Sequence, residues 1–203
     1  MSIDGGGIRG VYPAHLLYNI TSKLDINLID SLDMIAGTST GAIIAAAVAL
    51  NKKPEKIVDL YKRACPVIFK PKWSIFPRCI RSVFHSIYTT DSLESLLKAE
   101  FGGIKLGEMK KPLILPATDI SNGGVHIFKS GYSEKFVRDK NVLLCDAILA
   151  SCSAPTYFDP KKIENYLLAD GGLWANNPSL VALTEARRIF NIQLEDIRVL
   201  SIG

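Results

Sequence analysis

Leu32-Asp33-Met34-Ile35-Ala36-Gly37-Thr38-Ser39-Thr40-Gly41-Ala42-Ile43-Ile44-Ala45-Ala46-Ala47-Val48-Ala49-Leu50 is the stretch on which the reading of this chain turns. Its first part is a short apolar run that ends at Gly37, which predicts a buried strand over residues 32–36. Its last part is alanine-rich and apolar almost all round, which predicts a buried helix over residues 40–50. Between them Gly37-Thr38-Ser39-Thr40-Gly41 sets a serine in the middle of a strand–turn–helix elbow. Glycine on either side relieves the crowding of such a turn, where the central residue sits at strained φ/ψ. The new helix also directs its free N–H groups and positive end at Ser39, a field that favours a developing alkoxide or oxyanion. The competing structural reading is a close-packed strand-to-helix turn with no chemistry. A phosphate-binding P-loop is disfavoured, because no lysine follows at the required position.

Working outward, a bare strand fragment at residues 1–3 runs into Asp4-Gly5-Gly6-Gly7. Val11, Ala14, Leu17 and Ile20 then recur at helical spacing, with Pro13 tolerable in the first turn. Pro54 opens an amphipathic helix that extends to about residue 64. Thr90 or Asp91 caps another over residues 92–101, closed by Gly102-Gly103. Apolar runs at 113–120 and 125–128 flank Ser121-Asn122-Gly123-Gly124, a hairpin signal. A helix is expected over 142–153, ending before Pro155. A strand end at 167–169, a helix at 179–190 and a strand-like run at 197–202 complete the chain. This alternation predicts one α/β domain over residues 1–203, with a largely parallel sheet and helices on both faces. Both ends are expected to be cut, since the first strand is short and the last residues close on a strand and a glycine.

Asp170-Gly171-Gly172 supplies a carboxylate at a strand end, free to project at a sheet edge. The usual α/β-hydrolase order is serine, acid, histidine, yet His15, His85 and His126 all precede Asp170. The histidines are read as surface or packing residues. A carboxylate within hydrogen-bond reach of Ser39 can take its proton directly, and partial desolvation raises a pKa that is otherwise low for a base. The alternative for Asp170 is a turn or cap carboxylate.

The early glycines contain a formal G-x-G-x-x-G at Gly5, Gly7 and Gly10. A dinucleotide site needs an acid about 20 residues on, at the tip of the second strand. Asp25, Asp30 and Asp33 are near that range, but the strand ends in Ala36-Gly37. The favoured reading is that Gly6 and Gly7 leave backbone N–H groups bare to meet an oxyanion, with Thr40 a further donor. Arg9 holds this loop or attracts a phosphate-bearing substrate. Asn176-Asn177-Pro178 reads as a turn whose Asn177 reaches the Asp170 loop or serves turn chemistry alone. The small residues of Ser153-Ala154-Pro155-Thr156 leave room for an acyl chain.

With 48% hydrophobic and 22% charged residues, the composition is that of an ordinary globular domain. The longest apolar run, residues 42–50, is about half of what a membrane span needs. A net charge of +4 gives no case for nucleic acid, but its distribution is uneven. Between Lys52 and Arg81 stand nine Lys/Arg and two acids, interleaved with Tyr61, Phe69, Trp73 and Phe76. Prolines 66, 71 and 77 break any period there, so residues 66–88 are the candidate lid or membrane-facing segment. Lys70, Lys72, Trp73, Arg78 and Arg81 are its candidate contacts to phosphate or anionic lipid. The opposing reading is a solvated surface over a local aromatic cluster.

Cys65, Cys79, Cys145 and Cys152 show no metal-ligand spacing, and reduced thiols are favoured over a Cys65–Cys79 bridge. Cys145 and Cys152 lie about 10 Å apart along a helix, too far to bridge. No metal or cofactor is expected. The N-terminus carries no signal-peptide pattern, so a cytoplasmic, peripherally membrane-associated protein is expected, with export left open should a leader precede Met1.

Taken together, Asp4-Gly5-Gly6-Gly7-Ile8-Arg9-Gly10, Gly37-Thr38-Ser39-Thr40-Gly41, Ser153-Ala154-Pro155-Thr156 and Asp170-Gly171-Gly172 resemble the patatin-like phospholipase family, over nearly the whole chain. The resemblance implies a three-layer α/β/α fold and a catalytic dyad of Ser39 and Asp170 without histidine. It implies an oxyanion hole from Gly6, Gly7 and their neighbours, supported by Arg9. Gly5, Gly10, Gly37, Gly41, Gly171 and Gly172 are the supporting glycines. The implied activity is hydrolysis of acyl esters in phospholipids and other lipids at a membrane surface. A thioesterase or neutral-lipid hydrolase, and a catalytically silent lipid-binding protein, are the competing functions.

Overall fold

The structure is a computed structural model, which describes residues 1–68 and 90–203. Most of the candidate lid, with Lys70, Lys72, Trp73, Arg78, Arg81, Cys79 and His85, lies outside the described residues.

Among the described residues seven strands form one sheet: β1 (Ser2–Ile3), β2 (Ile35–Gly37), β3 (Leu113–Asp119), β4 (Gly124–Lys129), β5 (Lys161–Ile163), β6 (Tyr166–Asp170) and β7 (Ser201–Ile202). Their order is β5-β6-β3-β2-β1-β7, with β4 also paired to β3. Among the described residues the helices are α1 (Val11–Leu24), α2 (Thr40–Ala49), α3 (Pro54–Ile68), α4 (Thr90–Phe101), α5 (Leu144–Cys152), α6 (Gly172–Ala175) and α7 (Ser179–Phe190). Strand residues alternate between two cores, as a period of two requires. Ile35, Leu113, Leu115 and Ala117 face the larger one, with residues of α2, α4 and α5. Met34, Ala36 and Ile114 face a smaller one, covered by Val181, Ala182 and Ala186 of α7. Helices therefore cover both faces, giving the expected α/β architecture.

The sheet is mixed. β7, β1, β2 and β3 run parallel, whereas β4 and β6 are antiparallel to β3. The β3–β4 hairpin forms where the Asn-Gly-Gly turn predicted it. The strand-like run at 197–202 is shorter than expected, because its partner β1 offers only Ser2–Ile3 and so only Ser201–Ile202 pairs. Helix α3 runs past residue 64 with Pro66 inside it. β5 left no clear signal, since Lys161-Lys162-Ile163 is a short edge strand with little apolar content.

The arrangement around β3 positions everything that follows. Backbone groups of a strand point alternately to its two edges. On one edge Ile35 N–H donates to Pro112 O (2.9 Å) and Ile120 N–H donates to Leu167 O (2.9 Å), so β2 and β6 share that edge. On the other, Ser130 N–H donates to Leu113 O (3.1 Å), which gives that side to β4. β2 reaches β3 at Leu113 and Ile114, and β6 reaches it at Ala117 to Asp119. Since β2 is parallel and β6 antiparallel to β3, their C-terminal ends point at each other across residues 115–116.

Pro116 stands in the gap between them. Proline in a central strand normally removes a ladder hydrogen bond, but here its nitrogen faces the one place with no strand partner. Its carbonyl accepts a hydrogen bond from Ser151 Oγ (2.6 Å) instead. Gly171 passes so close that a Cβ there would stand 2.3 Å from Pro116 O and 2.9 Å from Pro116 Cβ. Both contacts are with the strand itself, which cannot step aside. We expect Gly171→Ala to cost about 2 kcal/mol, and hence to lower the melting temperature by about 4–8 °C. Thermal unfolding followed by circular dichroism checks this, and an unshifted transition contradicts the close packing.

Candidate active site

β1 and β2 lie side by side in register, Ile3 opposite Gly37, so the glycine loop and the elbow leave the sheet at one edge. The start of α2 presses against the end of β1. A Cβ on Gly41 would meet Ile3 O at 2.5 Å, and one on Gly37 would meet Gly41 O at 2.3 Å. These two glycines let the turn close with Ser39 at its apex. Ser39 has φ 53° and ψ −127°, a conformation that costs a non-glycine residue about 1–3 kcal/mol. It stands at the N-cap of α2, yet its side chain makes no capping hydrogen bond. A serine cap is usually worth about 1 kcal/mol. Here the hydroxyl is committed elsewhere: Ser39 Oγ donates to Asp170 Oδ2 at 2.6 Å.

Asp170 is 5% exposed. Its backbone is fixed from two sides: Asp170 N–H donates to Ser153 O (2.9 Å), and Thr118 Oγ1 donates to Asp170 O (2.7 Å). Gly172 N–H donates to its second carboxylate oxygen, Oδ1, at 2.6 Å. Burial raises the Asp170 pKa above the ordinary carboxylate value, against the opposing pull of the Ser39 hydroxyl and the Gly172 amide. A more basic carboxylate in direct contact with a serine hydroxyl has the geometry of a general base.

The glycine loop leaves some of its N–H groups unpaired and commits others. No protein acceptor meets the N–H of Gly7 or of Thr40 among the described residues, and Gly7 adopts φ 56°. Gly6 differs. Its N–H donates to Thr40 Oγ1 at 3.3 Å, so Thr40 ties the loop to the elbow through its side chain. The Gly5 N–H is likewise used, donating to Asn176 O at 3.0 Å. Arg9 is exposed and borders two cavities. The first, of 390 Å³, contains Ser39 and has apolar walls from Ile8, Ile43, Leu93, Cys152 and Ala154. The second, of 540 Å³, is bordered by Asp4, Tyr12 and Asn176.

Some residues of this site carried no sequence signal. The Tyr61 hydroxyl donates to the Thr40 carbonyl, and its ring packs so tightly on Gly10 that a Cβ there would come within 2.6 Å. In the sequence Tyr61 reads only as one of the aromatics interleaved with basic residues. Asn177 serves turn chemistry, accepting the Ser179 N–H (3.0 Å) and donating to Ser201 Oγ (3.0 Å). Neither described histidine lines the Ser39 cavity. His126 is buried in β4 against Phe128 and Tyr166, and burial, then Arg138, lowers its pKa to about 4. Cys65, Cys145 and Cys152 are unbridged. Among the described residues no cluster of His, Cys, Asp and Glu has a metal-binding arrangement, and no helix is long and apolar enough to cross a membrane.

Comparison with known proteins bears on this geometry. The family described as patatin-like phospholipase matches residues 1–183. The chain belongs to the patatin-like phospholipase family. Among its patatin-like relatives, a cGAMP-activated phospholipase of Escherichia coli (strain TW11681) is 33% identical over 218 residues, covering 100% of this chain and 61% of that protein. Patatin-like protein 2 of Oryza sativa subsp. indica is 33% identical over 221 residues, covering 97% of this chain and 54% of that protein. The chain thus spans less than two thirds of the length of these curated relatives. The crystal structure of VipD from Legionella pneumophila superposes with a TM-score of 0.54 at 14% identity, over 84% of this chain and 45% of that one. That similarity is one of fold.

The buried Asp170 of this patatin-like chain has a consequence for stability. Its pKa is raised on folding, so the folded state disfavours the ionised form. The resulting cost is absent below the unfolded carboxylate pKa of about 3.9 and is complete above the folded value. Asp170→Asn carries no such charge. We expect the variant to be more stable than wild type at neutral pH, with the advantage shrinking to nothing as the pH falls towards 3. Urea titrations across pH check this, and a variant less stable than wild type at neutral pH contradicts it.

Proposed function

We propose that this chain is a serine-dependent lipid acyl hydrolase of phospholipase A type, working through a Ser39–Asp170 dyad and an acyl-enzyme. The observation that carries the reading is the 2.6 Å hydrogen bond from Ser39 Oγ to the buried Asp170 carboxylate, beside a cavity with apolar walls. The phospholipase names of the E. coli and Vibrio cholerae relatives supply the substrate class.

In the first step Asp170 accepts the hydroxyl proton as Ser39 Oγ attacks the ester carbonyl. The charge that forms on the carbonyl oxygen is met by the N–H groups of Gly7 and Thr40, with Gly6 and Arg9 shaping the loop. Each such donor is worth about 3 kcal/mol of transition-state stabilisation. The positive end of α2 adds to the same field. Collapse of the tetrahedral intermediate expels the alcohol, which takes the proton from Asp170. Water then loses a proton to Asp170 and attacks the acyl-Ser39 carbonyl, releasing the fatty acid and restoring the serine hydroxyl. A silent lipid-binding protein has no need of this dyad. Thioester and neutral-lipid substrates differ from phospholipid only in the group that leaves, so product analysis separates them.

Two experiments test the reading. Ser39→Ala is expected to abolish both fatty-acid release from phospholipid vesicles and covalent labelling by a fluorophosphonate. Because those two relatives are named for activation by cGAMP, the assay is run with and without it. Labelling that persists in the variant removes Ser39 as nucleophile. We also propose that residues 66–88 meet the lipid surface through Lys70, Lys72, Trp73, Arg78 and Arg81, at about 1 kcal/mol per basic residue. Neutralising the four basic residues is expected to weaken cosedimentation with anionic vesicles, and unchanged binding rejects that role.

A further inference from the structure

The last turn of α5 holds the two reacting groups from behind, and the proposed chemistry makes no use of it. Ser151 is fully buried at 0% exposure. Its hydroxyl accepts the N–H of Ser39 at 3.0 Å and donates its own proton to Pro116 O at 2.6 Å. Two residues on, Ser153 O accepts the N–H of Asp170 at 2.9 Å. Ser153 is itself pinned, its hydroxyl donating to Leu149 O at 2.9 Å. The main chain of one short segment and one hydroxyl therefore reach both members of the dyad.

Ser151 does this at the gap in the sheet. Between the ends of β2 and β6, the Pro116 carbonyl faces no strand, and Ser39 N–H lies beyond the last paired residue of β2. Pro116 is buried and Ser39 half-buried, and a backbone group held away from water needs a partner. A hydroxyl is one donor and two acceptor sites, so a single serine satisfies both and links them. The donor on the Ser39 side is spent in the process. Ser39 N–H points back to Ser151 and is withdrawn from the oxyanion donors, leaving that task to Gly7 and Thr40. Ser39 also keeps a backbone conformation that nothing in its own chemistry favours.

We propose that Ser151 is a positioning residue for the nucleophile, fixing the Ser39 elbow against β3 so that Oγ meets Asp170. It acts through the Ser39 backbone and not on substrate. The inference rests on the Ser39–Asp170 reading above, and the two can be told apart. Wild-type protein that neither labels with fluorophosphonate nor releases fatty acid defeats that reading, whereas Ser151 variants are judged against an active wild type.

The test is steady-state kinetics on Ser151→Ala, Ser151→Cys and Ser151→Thr, with turnover normalised to sites titrated by fluorophosphonate so that loss of folded protein drops out. Loosening the elbow misplaces Oγ without touching the substrate cavity. We expect Ser151→Ala and Ser151→Cys to lower kcat per titrated site by about tenfold to a hundredfold, with KM within about twofold of wild type. Ser151→Thr keeps the hydroxyl and is expected to recover most of the loss. If Ser151→Ala fails to fold, the cysteine and threonine variants decide between them. A purely structural serine gives a lower melting temperature with wild-type kcat per titrated site, and that result overturns the proposal. So does a threonine variant no faster per site than the cysteine one.

Discussion

Two strands that stop short of each other on one edge of β3 are the constraint on which the rest of this molecule depends. β2 ends in the elbow and β6 ends in Asp170, and their opposed directions aim those ends at a common point. A fully parallel sheet would set the two carboxyl ends side by side, a strand width or more apart, about 4.7–4.9 Å per strand. Opposing them brings Ser39 Oγ and Asp170 Oδ2 to 2.6 Å. The sheet itself closes the distance, and the hydroxyl meets the carboxylate directly.

The gap that makes this possible leaves exposed backbone in a buried place, and the sequence answers it residue by residue. Pro116 removes a donor that would have had no acceptor. Ser151 occupies the remaining acceptor and the Ser39 amide. Gly171 lets the chain turn away from β6 within contact distance of β3. The site also stores cost that a stability-optimised turn would avoid. Ser39 forgoes a helix cap and holds a strained backbone, and Asp170 is buried with its pKa raised. Such costs persist only where the surroundings over-determine them, which here means the buried, alanine-rich α2 and the last turn of α5.

Much of this was legible in the residues. Gly37 to Gly41 announced the elbow because a buried strand and a buried helix flank it, and Asp170 stood out because the histidines all come too early. The antiparallel direction of β6 was not legible: Tyr166-Leu167-Leu168-Ala169 reads as a strand in either sense, and direction is decided by its pairing with β3 fifty residues away. Pro116 lies inside the apolar run that reads as a strand, and nothing in that run announces the gap beside it. Ser151 lay inside an apolar helical pattern, where a lone serine reads as a small core residue. The glycine run reads Gly6 as a free donor, but the Thr40 side chain, which carries no signal beyond its backbone N–H, accepts that N–H first. Local pattern shows which residue types a turn requires. It does not show which buried backbone groups a distant element leaves unpaired.

The central claim is that Asp170 takes the Ser39 proton directly, and the pH dependence of fluorophosphonate labelling in wild type and Asp170→Asn tests it most directly. The account predicts that wild-type labelling rises with pH through a single ionisation, above the ordinary aspartate value of about 3.9. It predicts that the variant labels far more slowly and without that ionisation. Labelling of Asp170→Asn at the wild-type rate, with the same pH profile, would contradict it.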